Sequence, residues 1–123
     1  MSGSLILFLA LAIPYIVTAD VELYSDKYDD IDAIAILNDD VQREQYYGCF
    51  MDTAPCLSEG AAYFKGNLPE VLVTKCAKCT VKQQQMFDDI VDWYTKNDEA
   101  KWNALVAKNL EDAKRMKVAA GRK

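Results

Sequence analysis

Thr80-Val-Lys-Gln-Gln-Gln-Met-Phe-Asp-Asp-Ile-Val-Asp-Trp-Tyr94 reads as a helix from its first residue. Thr80 and Gln83 form a capping box, in which the hydroxyl takes one orphan backbone N–H and the Gln amide takes another. Met86, Phe87, Ile90, Val91, Trp93 and Tyr94 then share one broad apolar side, opposite Asp88, Asp89 and Asp92. A stripe this wide has to be covered from two directions, so the flanking chain must supply further helices.

It does so on both sides. Upstream, Ile31, Ile34 and Ala35 share a helical face with Ile36 and Leu37, and Asn38-Asp39-Asp40 ends the segment. Asp39 or Asp40 can cap a second helix carrying Tyr46, Tyr47, Cys49, Phe50 and Met51 on its inner side. The spacing predicts a further helix over Leu57 to Lys65, closed by Gly66 and restarted at Asn67-Leu68-Pro69-Glu70. Downstream, a turn at Asn97-Asp98 leads to Trp102, Leu105 and Val106, and Met116 with Val118 marks a weaker terminal helix. No strand pattern or internal repeat competes. The expected fold class is all-α, with about six short helices. Asp20 to Asp30, polar apart from isolated tyrosines, reads as an irregular arm whose Tyr24 and Tyr28 dock on the body.

An apolar leader runs from Ser4 to Ala19, with Val17 and Ala19 placed where a signal peptidase cuts. Residues 1–19 are therefore expected to be a signal peptide and 20–123 a single mature domain, secreted and not inserted in a membrane after cleavage. Nineteen acidic and fourteen basic residues give a net charge of −5, which disfavours nucleic acid as a partner. The stretch from about Lys108 onward is basic and reads as a solvated helix end. There is no histidine, which removes the usual general base and the commonest metal ligand. Asp29-Asp30-Asp32 and Asp88-Asp89-Asp92 read as solvated acids, and no calcium-loop spacing follows them. No catalytic residue, metal site or cofactor is expected.

All the cysteine lies in Cys49-x6-Cys56-x19-Cys76-x2-Cys79. Helix geometry lets Cys76 reach Cys79, and the turn at Thr53-Ala54-Pro55 lets Cys49 reach Cys56. A redox Cys-x-x-Cys and a tetrathiolate zinc site are the competing readings. The first lacks its preceding strand, and the second lacks knuckle spacing in its first pair.

Tyr24-Ser-Asp-Lys-Tyr28-Asp, the four cysteines, Ser58-Glu-Gly60, Leu68-Pro69, Cys76-Ala-Lys-Cys79-Thr80 and Trp102, in that order, closely resemble the insect chemosensory proteins. The resemblance covers roughly Leu23 to Lys108. It implies a secreted all-helical carrier with sequential disulfides Cys49–Cys56 and Cys76–Cys79 around an apolar channel for long-chain lipids, odorants, pheromones or other semiochemicals. The spacing between the second and third cysteines is one residue longer than the family's usual pattern, most simply at Lys65-Gly66-Asn67. The Tyr-Asp-Pro often found after the tryptophan helix is replaced by Asn109-Leu-Glu-Asp112.

By match to the family pattern, Tyr46 and Trp102 are the expected ligand-binding residues. The amphipathic reading adds Ile34, Leu37, Phe50, Leu72, Phe87, Ile90, Val91 and Leu105 as wall. The expected partner is a small hydrophobic ligand and the expected state a monomer. The alternative is a secreted helical interaction, developmental or defence protein, in which the same rings fill a solid core.

Overall fold

The computed structural model describes residues 21–116. The leader, the expected cleavage point after Ala19 and the expected terminal position Val118 lie outside the described residues. Among the described residues there are five helices and no strand: α1 (Ala33–Leu37), α2 (Asp40–Phe50), α3 (Glu59–Thr74), α4 (Val81–Asn97) and α5 (Glu99–Met116). None of these is long and apolar enough to cross a membrane.

The helix starts follow the local chemistry. Asp39, not Asp40, caps α2, its carboxylate accepting from Val41 N and Gln42 N at 3.0 Å each. Ser58 caps α3, and Thr80 and Gln83 close the full capping box on α4. Asp32 caps the short α1 through Ala35 N.

The expected break at Gly66-Asn67 is absent: α3 runs unbroken through Gly66 and Pro69. A helix-interior Gly costs about 1 kcal/mol and a Pro about 3. Tyr63, Phe64, Leu68 and Val71 keep one continuous inner face across the site, and each such side chain gains up to about 1.5–3 kcal/mol when buried. Asn67 does not cap a new helix; its Nδ2 donates backwards to Tyr63 O at 3.0 Å. Met116, expected in a separate terminal helix, lies instead in α5, which extends unbroken to it. These continuities leave five described helices where about six were expected.

α3 packs on α5 and α1 on α4, with α4–α5, α1–α2 and α2–α3 contacts closing the body. The expected irregular arm crosses it on the outside. Tyr24 N donates to Lys78 O at 2.8 Å and the Tyr24 hydroxyl to Glu70 Oε1 at 2.7 Å. Gln83 Nε2 donates to Ser25 O and Asp29 Oδ1, both at 2.8 Å, and Thr80 Oγ1 donates to Asp29 Oδ2 at 2.7 Å.

Two disulfides pin the connections, Cys49–Cys56 with Cα atoms 4.7 Å apart and Cys76–Cys79 with Cα atoms 5.1 Å apart. All four cysteines are held in these two bridges, so none is free as a thiol. The second bridge sits just after α3, where Lys75 and Cys76 both adopt left-handed φ values of 57° and 63°.

Candidate functional site

Few large side chains are fully buried. Leu37, Tyr94 and Leu105 come near it at 5–7 % exposure, and beside them the buried apolar residues are Cys49, Cys76 and the small Ala61 and Ala113. Leu37, Tyr94, Leu105 and many of the half-buried rings and aliphatic chains surround a cavity of about 130 Å³ that opens partly to solvent. A solid core would leave no such space, since protein interiors are normally packed to crystal density.

Each helix turns one face to this cavity. α2 contributes Arg43, Tyr46, Tyr47 and Phe50, spaced i, i+3, i+4 and i+7. α3 contributes Tyr63, Phe64, Leu68 and Val71, and α4 contributes Met86, Phe87, Ile90 and Tyr94. Trp102 and Leu105 come from α5, Ile36 and Leu37 from α1, and Tyr24 from the arm. The rings brace one another: Tyr46–Phe50 at 6.0 Å, Tyr47–Tyr94 at 5.9 Å, Phe87–Trp102 at 6.3 Å and Tyr94–Trp102 at 6.4 Å between centroids.

Of the expected wall residues, Tyr46, Trp102, Leu37, Phe50, Phe87, Ile90 and Leu105 line the cavity, whereas Ile34, Leu72 and Val91 do not. Ile34 is 49 % exposed, because the short α1 presents Ile36 and Leu37 inward and turns Ile34 to solvent. Leu72 and Val91 each follow a residue that does line it, Val71 and Ile90, and one helical step of about 100° carries them off the inner face. Lining residues outside the expected set include Tyr24, Arg43, Tyr63, Val71 and Gln83. Gln83 was legible only as a cap, and Arg43 only as a charged residue, yet its stem lies along the same face as Tyr46 and Tyr47.

Most polar groups on the wall are already engaged. Tyr47 donates its hydroxyl to Lys101 O at 2.9 Å, Tyr24 to Glu70, and Gln83 to the arm. Burial and the hydrogen bond to Glu70 raise the Tyr24 phenol well above its usual range. The same bond holds Glu70 below the usual carboxylate range. Burial, followed by the Glu44 carboxylate, pushes the Tyr94 phenol up to about 12. Among the described residues no cluster of His, Cys, Asp or Glu is placed to hold a metal ion. The arrangement can enclose an apolar molecule.

Fold and site together define a small helical container with an apolar interior, braced by two short-loop disulfides. Residues 24–117 match the insect pheromone-binding family A10/OS-D, and the chain belongs to that family. It is 36 % identical over 93 residues to ejaculatory bulb-specific protein 3 of Drosophila melanogaster, covering 76 % of this chain and 73 % of that protein. It is 34 % identical over 87 residues to the allergen Tha p 1 of Thaumetopoea pityocampa, covering 71 % and 68 % respectively. A chemosensory protein solved in complex with bromo-dodecanol superposes with a TM-score of 0.67 at 29 % identity, covering 76 % of this chain and 93 % of that one.

Proposed function

We propose that this protein is an extracellular carrier that holds a small hydrophobic ligand, of the long-chain lipid or semiochemical type, non-covalently in its internal cavity. The observation that carries the reading is the cavity itself, enclosed by the inner faces of all five helices and almost wholly apolar. A chain burying about 300 Å² of alkyl surface at about 25 cal/mol per Å² gains about 7.5 kcal/mol, the scale of micromolar binding. The bromo-dodecanol complex of the similar chemosensory protein supports the same ligand class. The two disulfides favour an oxidising compartment. In this reading residues 1–19 are a signal peptide, 20–123 a monomeric mature domain, and binding, not catalysis, is the activity.

Tyr46 and Trp102 are the principal contacts, with Leu37, Phe50, Phe87, Ile90 and Leu105 completing the wall. The test is displacement of a fluorescent hydrophobic probe, supported by tryptophan fluorescence, using amphiphiles of ten to eighteen carbons. Tyr46→Ala should weaken binding by removing ring contacts. Asp88→Ala, on the exposed face of α4, should leave it unchanged. If no amphiphile binds, the interaction-protein alternative replaces this reading.

A further inference from the structure

One corner of the cavity departs from its apolar character. Arg43 of α2 and Tyr94 of α4 both line the wall, and the Trp93 ring links them. The Arg43 guanidinium lies 4.4 Å from the Trp93 centroid, and the Trp93 and Tyr94 centroids are 4.9 Å apart. The Tyr94 residue is only 7 % exposed, and its hydroxyl has no hydrogen-bond partner among the described residues. A buried hydroxyl left unpaired is costly, and such groups in native proteins call for an explanation. Arg43 donates Nη1–H to Leu37 O at 2.7 Å and Nη2–H to Asp40 Oδ1 at 2.8 Å. A guanidinium carries five N–H groups, so donors remain.

We propose that the Arg43–Tyr94 corner receives the polar end of the ligand, and that it selects neutral molecules ending in a hydrogen-bond-accepting oxygen, such as aldehydes, esters and alcohols, over fatty acids. This rests on the carrier reading above. The corner offers donors: Arg43 has no acceptor, and the raised Tyr94 phenol keeps its proton at physiological pH. An alkane would leave these donors unpaired. A carboxylate meets an unfavourable field, because the local cations are already matched and little of their charge is left to offset its desolvation. Arg43 faces Asp40 at 2.8 Å and Glu44 at 3.8 Å, and Lys101 is held by Glu44 at 2.7 Å. Asp98 also acts on Tyr94. The surroundings therefore hold three carboxylates against two cations, and the hydrogen bonds on offer recover only part of the cost of desolvating a fourth.

The experiment measures displacement of N-phenyl-1-naphthylamine at pH 8 by dodecanal, dodecyl acetate and dodecanoate, from the wild-type chain and from Tyr94→Phe, Tyr46→Phe, Arg43→Leu and Asp40→Asn. Dodecanal and dodecyl acetate should bind the wild type more tightly than dodecanoate does. Tyr94→Phe should lower the affinity for dodecanal relative to the probe by about three- to tenfold, the value of one hydrogen bond. Asp40→Asn should selectively strengthen dodecanoate. Equal or tighter binding of dodecanoate by the wild type overturns the inference while leaving the carrier reading standing. So does a loss confined to Tyr46→Phe, or dodecanal affinity indifferent to both Tyr94→Phe and Arg43→Leu. Failure of the wild type to bind the probe and all three ligands removes the carrier reading and this inference with it.

Discussion

Asp52 follows α2 with a left-handed φ of 63°, and its carboxylate takes Lys65 Nζ of α3 at 2.6 Å and Lys108 Nζ of α5 at 2.9 Å. One side chain thus joins the loop of the first disulfide to two helices. The hydrogen bond from Lys65, then that from Lys108, hold its carboxyl down at about 2, against 3.8 when free. A depressed folded-state value means stability that is complete above the unfolded value and is lost as pH falls through the folded one. The melting temperature should therefore fall between about pH 4 and pH 2, and Asp52→Asn should be less stable than wild type at pH 7 but nearly equal to it at pH 2. A constant difference across that range would show that the carboxylate's charge is not what ties the loop. Nothing in the sequence marks Asp52, since its partners lie on helices distant in the chain and only the tertiary fold brings them together. The caps at Asp39 and Thr80 were legible because donor and acceptor sit within a few residues of each other.

Local legibility also explains the misread helix break. Gly66, Asn67 and Pro69 carry the signals of a stop and a restart, but the inner face from Tyr63 to Val71 is decided by packing against the rest of the fold. If α3 is continuous, Gly66 is an ordinary helix-interior residue, and a Cβ there would meet nothing within 4 Å. Gly66→Ala should then stabilise the protein by about 0.5–1 kcal/mol, read as a higher melting temperature. Destabilisation would mean that the chain needs a break there. Gly48 of α2 gives the opposite case, since an added Cβ would stand 2.9 Å from Ala54 Cβ in the disulfide loop. An alanine Cβ moves only with its backbone, so Gly48→Ala should cost about 1–3 kcal/mol. The disulfides act at the same scale. Each closes a small loop and contributes about 2 kcal/mol in the chain-entropy model, so far-UV circular dichroism should retain much of the helix signal in reductant.

For the whole molecule, the decisive property is an interior lined by helix faces and left unfilled. Periodicity identified the inner faces that carry Phe50, Phe87 and Ile90, and the family pattern pointed to Tyr46 and Trp102. Periodicity could not distinguish a wall from a packed core, because both require the same apolar spacing; that distinction depends on how far apart the helices settle. The cavity of about 130 Å³ also sets a length scale. At about 10–15 Å³ of such space per water-sized group, it has room for roughly ten groups. Affinity for straight-chain amphiphiles with one head group should therefore rise by up to about 0.8 kcal/mol per methylene and flatten near a dodecyl chain. Past that point added carbons emerge through the open side and bury no further area. Ionic strength should matter little, since the charges nearest the cavity are paired within the protein. Calorimetry across an eight- to eighteen-carbon series at low and high salt reads both effects. A slope that persists unbroken to eighteen carbons would require the helices to move apart around the ligand. A flat series would mean that the space is closed by its own aromatic rings in solution.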